Sequence, residues 1–568
     1  MSQMGTVPTR LTDRRFMLLA LWAILFAIYA VLFGLNLKQS QGVLHFGVVS
    51  YTSRLWPLAA MAGLAIGFAA IVKGLKLDPT VCSIVENCSA NRSKVAWTLI
   101  SAGIIGSLIA VWALRAFPNS SDEYDYLFQA KTFLAGRLWN PIPPQHEFFA
   151  FDWQFFHDGR WTTYYPPGWP LLLAAAQGLQ MPAWVVSPLL GGILLFAMFK
   201  LGERRDGNLG GVFAVALTAL SPFFLFNAAS YFMHVPAAAA GLLFCWLGAD
   251  FLERPIASRA WLTGISLGAL GLIRPEDVPV FSLPFAAEFL WRARSAHYRH
   301  VLLVVLGGLP FLGCLALYNH AVVGSVIPNI ASFRATSAHF GLSGVNMYGQ
   351  QRTPLEDLNF AASRIVMLAE WSSPILVLGY VAAFSWLAAK RRLSFYDFVF
   401  PLFVITYLFV PFWGGNQYGP RYYFEGYPFI VLTTVSGLVT LLNNKLRVSR
   451  QSFAGAMVLA HAAICIVSVT VIALFMRTVV NERMDLYDQV RAEHLRNAVV
   501  LIRSSTGRIL PMGPTELTRN GIAHDGNVIY ALDIPQRLQD LERLFPHRQF
   551  YIYSRDPEKA KGTLQPLT

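Results

Sequence analysis

Charged side chains are scarce in this sequence. Only 14% of its 568 residues are Asp, Glu, Lys or Arg, whereas 55% are hydrophobic; a soluble chain carries nearer a quarter charged residues. The hydrophobic residues also come in blocks long enough to cross about 30 Å of hydrocarbon as helices. This composition excludes a soluble enzyme and predicts a polytopic α-helical membrane protein.

Cysteine patterns and nucleotide-binding signatures are lacking as well. Three of the five cysteines lie in apolar runs, where a small buried thiol is expected, and the spacing of the other two is not that of a zinc ribbon. The C-terminal segment contains neither G-x-G-x-x-G nor a P-loop. We therefore predict no disulfide framework, metal cluster or nucleotide site from these features. The cysteines are Cys82, Cys88, Cys245, Cys314 and Cys465.

About thirteen apolar segments have the length of membrane spans. The first follows a cluster of arginines but is too long for a signal-peptide core, so we predict that it is retained as a span. A short, Pro-flanked apolar stretch at 168–180 is predicted to be interfacial or re-entrant, because a further span would invert every later loop. The predicted spans lie near 16–35, 55–73, 95–116, 183–201, 209–227, 231–250, 259–273, 277–291, 300–319, 364–389, 398–413, 424–442 and 453–476.

The basic residues predict which loops face the cytoplasm. Net charge is +13, and the excess lies mainly in short loops on one side, as the positive-inside rule requires. It therefore indicates topology in the cell (inner) membrane and not nucleic-acid binding. The N-terminus is predicted to be cytoplasmic and, with an odd number of spans, the C-terminus extracytoplasmic. The basic inner loops include Arg92 and Lys94, Arg204 and Arg205, Arg254 and Arg259, Arg292 and Arg294, Lys390 to Arg392, and Lys445 to Arg450.

These assignments divide the chain into three regions and predict a small α/β domain at its C-terminal end. Short strand-like segments flank a stretch with helical spacing there. The regions are 1–94 with two spans, 95–478 with the transmembrane core and its outer loops 117–182 and 320–363, and 479–568 as the extracytoplasmic domain. The predicted elements of that domain are strands at 498–502, 528–532 and 549–553 and a helix at 537–544.

Three carboxylates open the first outer loop. Asp122, Glu123 and Asp125 follow a predicted span and a group of capping residues, so 122–138 is predicted as an amphipathic helix lying on the membrane. Negative charge at a helix N-terminus is favoured by roughly a few tenths of a kcal/mol. A carboxylate at the mouth of a membrane cavity is also where a general base for sugar transfer would stand. Spacing alone leaves both explanations open. The predicted lipid-boundary side chains are Tyr124, Leu127, Phe128, Lys131 and Leu134.

Three basic or titratable residues near outer helix ends are further candidates. Arg274 is followed by Glu276 and Asp277, which allows either an internal ion pair or binding of an anionic lipid head group. Arg421 lies in a Gly-rich corner and would either snorkel to the interface or bind phosphate. His234 lies near the start of a predicted span. It would be either a hydrogen-bonded structural residue or a ligand of the substrate.

Aromatic side chains surround these candidates. Tyr165 belongs to an aromatic-rich part of the first outer loop, and Tyr422 directly follows the second arginine. Aromatic belts at the membrane interface explain many such residues without a ligand. Because sugars also stack on aromatic faces, a carbohydrate site is the alternative.

Several ordered segments resemble bacterial members of the dolichyl-phosphate-mannose protein mannosyltransferase-like family (family 39-like), which are glycosyltransferases of the polytopic GT-C fold. The likeness extends from about residue 95 to 442. The segments that resemble the family are Asp122-Glu123, Phe133 to Leu138, Asp158 to Pro170, Ser230 to Pro236, Arg274-Pro275, Tyr318 to Ser325 and Tyr418 to Tyr422.

The resemblance implies inverting transfer of a sugar from a polyprenyl-phosphate-linked donor to an envelope acceptor on the extracytoplasmic face. Asp122 matches the family's general base or acceptor-orienting group, Glu123 would support it, and Arg274 and Arg421 would stabilise the departing phosphate. The remaining expected substrate contacts are His234, Tyr165, Tyr422 and Asp125. Two spans precede the span that leads into the acidic loop, where many relatives have none, and the C-terminal domain is small. The acceptor therefore stays open among lipid A or core oligosaccharide, another envelope glycan, and protein.

Three rival functions and one open question about a metal ion accompany this interpretation. One rival is a ligase that moves a preassembled glycan, which would share the fold type. A transporter or flippase of polyprenyl-linked glycan or lipid would show internal symmetry or matched discontinuous spans, and no repeat is seen in the sequence. A non-catalytic assembly or sensor protein would use the C-terminal domain for binding. A divalent cation at Asp122 and Asp125 is also left open, because two carboxylates do not define an oxygen-ligand site.

Overall fold

The computed structural model describes residues 31, 51–74, 77–150, 153–327, 342, 344–345, 351–410, 418–442, 448–503, 517, 519–556, 559 and 561–567. Apart from residue 31, the first predicted span at 16–35 lies outside them. The helices are α1 Tyr51–Gly74, α2 Asp78–Ala90, α3 Arg92–Ala113, α4 Ser121–Leu134, α5 Gly168–Gly178, α6 Val186–Ala219, α7 Pro222–Ala228, α8 His234–Glu253, α9 Ala257–Ile273, α10 Val278–Arg292, α11 Ser295–Val323, α12 Pro354–Trp371, α13 Pro374–Ala389, α14 Phe395–Leu408, α15 Tyr427–Leu442, α16 Val448–Ala492 and α17 Leu538–Leu544. The strands are β1 Asn140–Pro141, β2 Gln154–His157, β3 Arg160–Thr163, β4 Gly344–Val345, β5 Gln351–Arg352, β6 Ala498–Ile502, β7 Val528–Leu532, β8 Gln549–Ser554 and β9 Thr563–Pro566.

Five helical segments in the described part of the chain are long and apolar enough to cross a membrane, and a bent helix pair brings the number to six. They contain α3, α6, α8, α11 and α16, with α12 and α13 as the bent pair. This agrees with a helical membrane protein. Several other apolar helices, including α9, α14 and α15, have fewer than 18 residues, so the count of thirteen spans stays a prediction.

α6 consists of two helices that fold back on each other. The backbone leaves the helical conformation at Gly207, where φ is +73°, a value that glycine adopts without strain. The two halves pack so closely that a Cβ atom on Gly202 would lie 2.5 Å from the carbonyl oxygen of Gly210. The first half corresponds to the span predicted at 183–201, whereas the span predicted at 209–227 is divided between the second half of α6, which ends at Ala219, and α7 Pro222–Ala228.

Gly202→Val is therefore expected to destabilise the protein. A branched side chain would force the halves of α6 apart, and overpacking of this kind costs about 1–3 kcal/mol or more. Thermal unfolding of the purified protein in detergent measures the effect. Gly313→Val is the matched control, because a Cβ atom at Gly313 of α11 has no neighbour within 4 Å. Equal unfolding temperatures for the two variants would contradict this packing.

The span predicted at 364–389 is not one helix. α12 begins earlier, at Pro354, and meets α13 at an angle of 117°. The break follows from Ser373, whose side chain accepts a hydrogen bond from the N–H of Ile375 at 3.1 Å, and from Pro374 at the start of α13. Because proline has no N–H and fixes φ, it favours a new helix start at this point. The two helices together are apolar enough for one span, so hydropathy does not reveal the break.

Residues that were assigned to the same side of the membrane contact one another. Arg92 at the start of α3 lies 2.9 Å from Glu203, and Arg205 lies 2.8 Å from the buried Asp397 at the start of α14. Loops distant in sequence therefore meet at one end of the helix bundle. The positive-inside rule predicts that this end is cytoplasmic.

α16 connects the opposite end of the bundle to a C-terminal sheet. It continues to residue 492, past 479, where the sequence placed a domain boundary. Arg115, just after α3, binds Asp488 of α16 through two guanidinium nitrogens at 2.9 and 3.0 Å. The strand order is β7-β6-β8-β9, with β6 parallel to β7 and β8. The three predicted strands are confirmed, whereas the extracytoplasmic location of the sheet stays a prediction.

The C-terminal sheet shares a core with the first outer loop. One face of β6 contributes Val499 and Leu501 to a cluster with Phe148 and Phe149 of that loop. Both phenylalanines are almost fully buried. The sheet is thus packed against the loop that contains the acidic residues. In the same loop α5 has eleven residues, about 16 Å of helix, which is too short to cross the hydrocarbon.

Candidate active site

The helix α4 begins with a capped N-terminus. The hydroxyl of Ser120 accepts a hydrogen bond from the N–H of Glu123 at 3.3 Å. The fully buried Glu123 carboxylate accepts from the N–H groups of Asn119 at 2.8 Å and Tyr231 at 2.9 Å. Burial raises the pKa of Glu123 to about 7, and these two N–H groups act in the opposite direction. For Glu123 the geometry favours the helix-terminus explanation over a direct catalytic role.

Glu123→Gln is expected to destabilise the protein. An amide nitrogen cannot accept a hydrogen bond, so one of the two backbone N–H groups would lose its acceptor, at a cost of about 1–3 kcal/mol. Thermal unfolding in detergent checks this. Glu356→Gln is the matched control, since Glu356 accepts from the N–H of Thr353 at 2.7 Å at the exposed start of α12, where water replaces a lost partner. A loss at Glu356 as large as that at Glu123 would contradict the prediction.

Asp122 faces Arg421 and Tyr165. Its Oδ2 lies 3.2 Å from Nη2 of Arg421, and the side chains are only 16% and 8% exposed. The hydroxyl of Tyr165 donates to Oδ1, and the guanidinium of Arg421 lies 4.0 Å from the ring centroid of Phe232. Burial alone would raise the pKa of Asp122, but Arg421 and the Tyr165 hydroxyl lower it below its usual range. Asp122 is therefore ionised at neutral pH.

A second charged cluster surrounds Arg274. Its Nε lies 2.8 Å from Asp277 Oδ2 and 3.3 Å from Glu425 Oε1, and its Nη2 donates to the hydroxyl of Tyr407. The same Glu425 oxygen lies 2.8 Å from Nδ1 of His234. Arg274, Asp277, Glu425 and His234 are at most 3% exposed, whereas Glu276, 3.3 Å from Nη2 of Arg274, is 47% exposed. The internal ion pair considered for Arg274 is thus present, in a larger network than the sequence indicated.

The turn that precedes α15 joins the two clusters, because Arg421 and Glu425 both belong to it. The structure therefore brings together Asp122, Tyr165 and Arg421 by direct contact, and it places His234 and Arg274 around Glu425. These contacts join α4, the starts of α8 and α10, and the turn before α15. Such convergence of polar groups at one end of a helix bundle is typical of a substrate site.

Two further predicted site residues lie nearby. The ring of Tyr422 stacks on Tyr407 with centroids 4.8 Å apart, and the guanidinium of Arg364 lies 5.2 Å from the Tyr422 ring. Asp125 is fully buried one turn along α4 from Asp122. In the described ranges no group of three His, Cys, Asp or Glu side chains is arranged to hold a metal ion.

The prediction that α4 lies on the membrane surface was wrong. Tyr124 and Phe128, assigned to the lipid boundary, are 2% and 8% exposed. The ring of Phe128 packs against Trp161 of β3 with centroids 4.6 Å apart, and Tyr126 packs against Tyr165 at the same separation. Protein covers Tyr124 and Phe128, whereas Leu134 at the end of α4 is 45% exposed. An apolar periodicity does not distinguish a face covered by protein from one covered by lipid.

Glu425 is the residue that sequence reasoning missed. It lay inside the span predicted at 424–442, whereas α15 begins two residues after it. The signal was an acidic side chain at the edge of an otherwise apolar segment, which is costly unless it is paired.

Solved structures share this architecture. No protein-family profile matches the chain, and comparison of its sequence with characterised proteins gives no match. The crystal structure of ArnT from Cupriavidus metallidurans in the apo state has a TM-score of 0.50 and 10% identity, and the match covers 84% of this chain and 98% of that one. The chain has the GT-C fold.

Two other GT-C structures are similar at lower scores. ArnT from Cupriavidus metallidurans bound to undecaprenyl phosphate has a TM-score of 0.49 at 10% identity, with 83% of this chain and 97% of that one covered. The oligosaccharyltransferase of Archaeoglobus fulgidus in the apo form has 0.41 at 11% identity, with 80% and 69% covered. The prediction of a GT-C-like membrane protein is confirmed. The narrower mannosyltransferase-like family stays a prediction.

Proposed function

We propose that this chain is a membrane glycosyltransferase that moves a sugar from a polyprenyl-phosphate-linked donor to an envelope acceptor on the extracytoplasmic face, with inversion. The observation that carries the proposal is the Asp122 side chain, held by Arg421 and Tyr165 at the start of α4 in a GT-C fold. A carboxylate with a fixed orientation is the group that a hydroxyl acceptor needs as its general base.

The buried arginines support the choice of donor. ArnT, whose apo structure shares the fold, has also been crystallised with undecaprenyl phosphate, and we infer the same class of lipid phosphate here. Nε of Arg421 is buried and has no hydrogen-bond partner among the residues that the structure describes. A forked guanidinium with a donor to spare suits a phosphate, and Arg274 provides a second cation on the neighbouring cluster.

In the proposed reaction the acceptor hydroxyl oxygen attacks C1 of the sugar from the face opposite the phosphate. Asp122 takes the hydroxyl proton, and the bond between C1 and the phosphate oxygen breaks. The electron pair of that bond stays on the phosphate, where Arg421 and Arg274 stabilise the added negative charge. The hydrogen bond from Tyr165 holds the Asp122 carboxylate in place during the proton transfer.

Reconstituted protein tests this function directly. Proteoliposomes are given radiolabelled polyprenyl-phosphate sugars of several kinds together with crude envelope acceptors, and the products are separated by chemical class. We expect a new glycoside from one donor, whose acceptor the product then identifies. A transporter would instead move labelled lipid across the bilayer without making a glycoside. Failure of folded protein to transfer from any donor would contradict the proposal.

A further inference from the structure

The Arg274 cluster contains unequal numbers of opposite charges. One cation, Arg274, contacts two carboxylates, Asp277 and Glu425, that are 1% and 0% exposed. With His234 neutral, the formal charge of the cluster is +1 for Arg274 and −1 for each acid, or −1 in all. Buried charge without compensation is costly, so a proton on one member of the cluster would relieve a real electrostatic penalty.

Glu425 is the member best placed to hold that proton. Its Oε1 is shared by His234 and Arg274, whereas its Oε2 is buried and makes no hydrogen bond within the described chain. Burial raises the pKa of Asp277 as well, so the two acids compete for one proton. Asp277 has the shorter contact with Arg274, at 2.8 Å against 3.3 Å, and by this geometry it is the better compensated anion. Glu425 lies in the turn before α15, where burial raises its pKa to about 7 against the opposing effect of Arg274.

The other charged groups facing the cluster do not remove the imbalance. Glu276 lies 3.3 Å from Nη2 of Arg274, but its side chain is 47% exposed and screened by water. Arg421 is already paired with Asp122, so together they add no net charge. Tyr407 is a neutral hydroxyl that accepts from Arg274.

We propose that Glu425 takes up one proton when an anionic phosphodiester binds beside Arg274 and Arg421. This inference rests on the proposed function, because the phosphodiester is the head group of the lipid donor. The ligand adds a second negative charge to a buried cluster that already has a surplus of one, and the repulsion is strong at low dielectric. The proton moves from water to a Glu425 carboxylate oxygen, and no covalent bond of the ligand changes. Neutral Glu425 then leaves Arg274 freer to bind the phosphate.

Calorimetric titration of the full-length protein in detergent tests this. The probe is farnesyl methyl phosphate, a phosphodiester with one fixed negative charge and no titratable proton near neutral pH. Binding heats measured in buffers of different ionisation enthalpy give the number of protons taken up. We expect little uptake at pH 6, where Glu425 is already mostly protonated, and nearly one proton at pH 8. Affinity should accordingly fall as pH rises, by up to about tenfold per unit above pH 7.

Two variants locate the proton. Glu425→Gln mimics the neutral state, so it should bind the probe without proton uptake and with little pH dependence. Glu276→Gln changes the exposed acid beside the same cluster. This variant should keep both the proton uptake and the pH dependence of binding. Uptake that persists in Glu425→Gln would overturn the assignment. If that variant fails to fold, the wild-type pH series still overturns the proposal if no proton is taken up at pH 8.

The wild-type outcomes separate this inference from the proposed function. Binding of the probe without proton uptake would overturn the inference while leaving sugar transfer, measured in proteoliposomes, to stand by itself. Absence of probe binding at both pH values would overturn the inference and the donor class together.

Discussion

Asp122→Asn is expected to abolish sugar transfer in a protein that still folds. Asn keeps the shape of the side chain, and its carbonyl oxygen can accept from Arg421 while its amide donates to the Tyr165 oxygen. It cannot take a proton from the acceptor. General acid–base catalysis contributes about 10²–10⁴ in rate, so the initial rate in proteoliposomes should fall by at least about 100-fold.

The matched control for this variant is Asp158→Asn. Asp158 belongs to the same outer loop, but it occupies the turn between β2 and β3 with its side chain 74% exposed. Its replacement should leave the transfer rate unchanged. Rates are compared at equal amounts of folded protein, measured by thermal unfolding. Transfer by Asp122→Asn at the wild-type rate would remove Asp122 from the mechanism and turn attention to Asp125, which is buried one turn along α4.

Arg421→Gln is expected to weaken both the fold and donor binding. The change leaves the Asp122 carboxylate buried without its cation, and breaking one side of a buried ion pair costs about 3–5 kcal/mol. It also removes a guanidinium that the proposed mechanism uses on the leaving phosphate. We expect a lower unfolding temperature, a higher KM for the lipid donor and a lower kcat. Arg421→Lys should recover only part of each loss, since an ammonium lacks the forked donors.

Arg160→Gln is a suitable control for Arg421. Arg160 is also a partly buried arginine of the outer region, and it donates to the backbone oxygens of Ala321 and Val322 and lies over the ring of Trp139. Its loss should lower stability without changing the KM for the donor in the protein that remains folded.

A double-mutant cycle of Asp122 and Arg421 completes the test. Additive effects on the free energy of unfolding would contradict the coupling that their contact predicts.

Local sequence signals predicted the features that depend on neighbouring residues. The membrane class followed from scarce charge and long apolar blocks, because only apolar helices with satisfied backbone hydrogen bonds are stable in the hydrocarbon core. Short runs of apolar and aromatic residues predicted β6, β7 and β8, and capping residues predicted the start of α4. The segments that resemble a known family predicted the GT-C fold, and they made Asp122 a candidate before any contact was known.

Only the tertiary structure decided how the candidate site is assembled. Asp122 and Arg421 are 299 positions apart in the chain, and His234 and Glu425 are 191 apart, so no local pattern encodes either contact. The burial of α4, the fold-back within α6 and the break before α13 likewise depend on which surfaces meet. An apolar periodicity predicts that one face of a helix is shielded from water. Only the packing of the helices determines whether lipid or protein shields that face. The sequence by itself thus determined a membrane protein with acidic and basic candidates, and the packing of its helices determined which of them became partners.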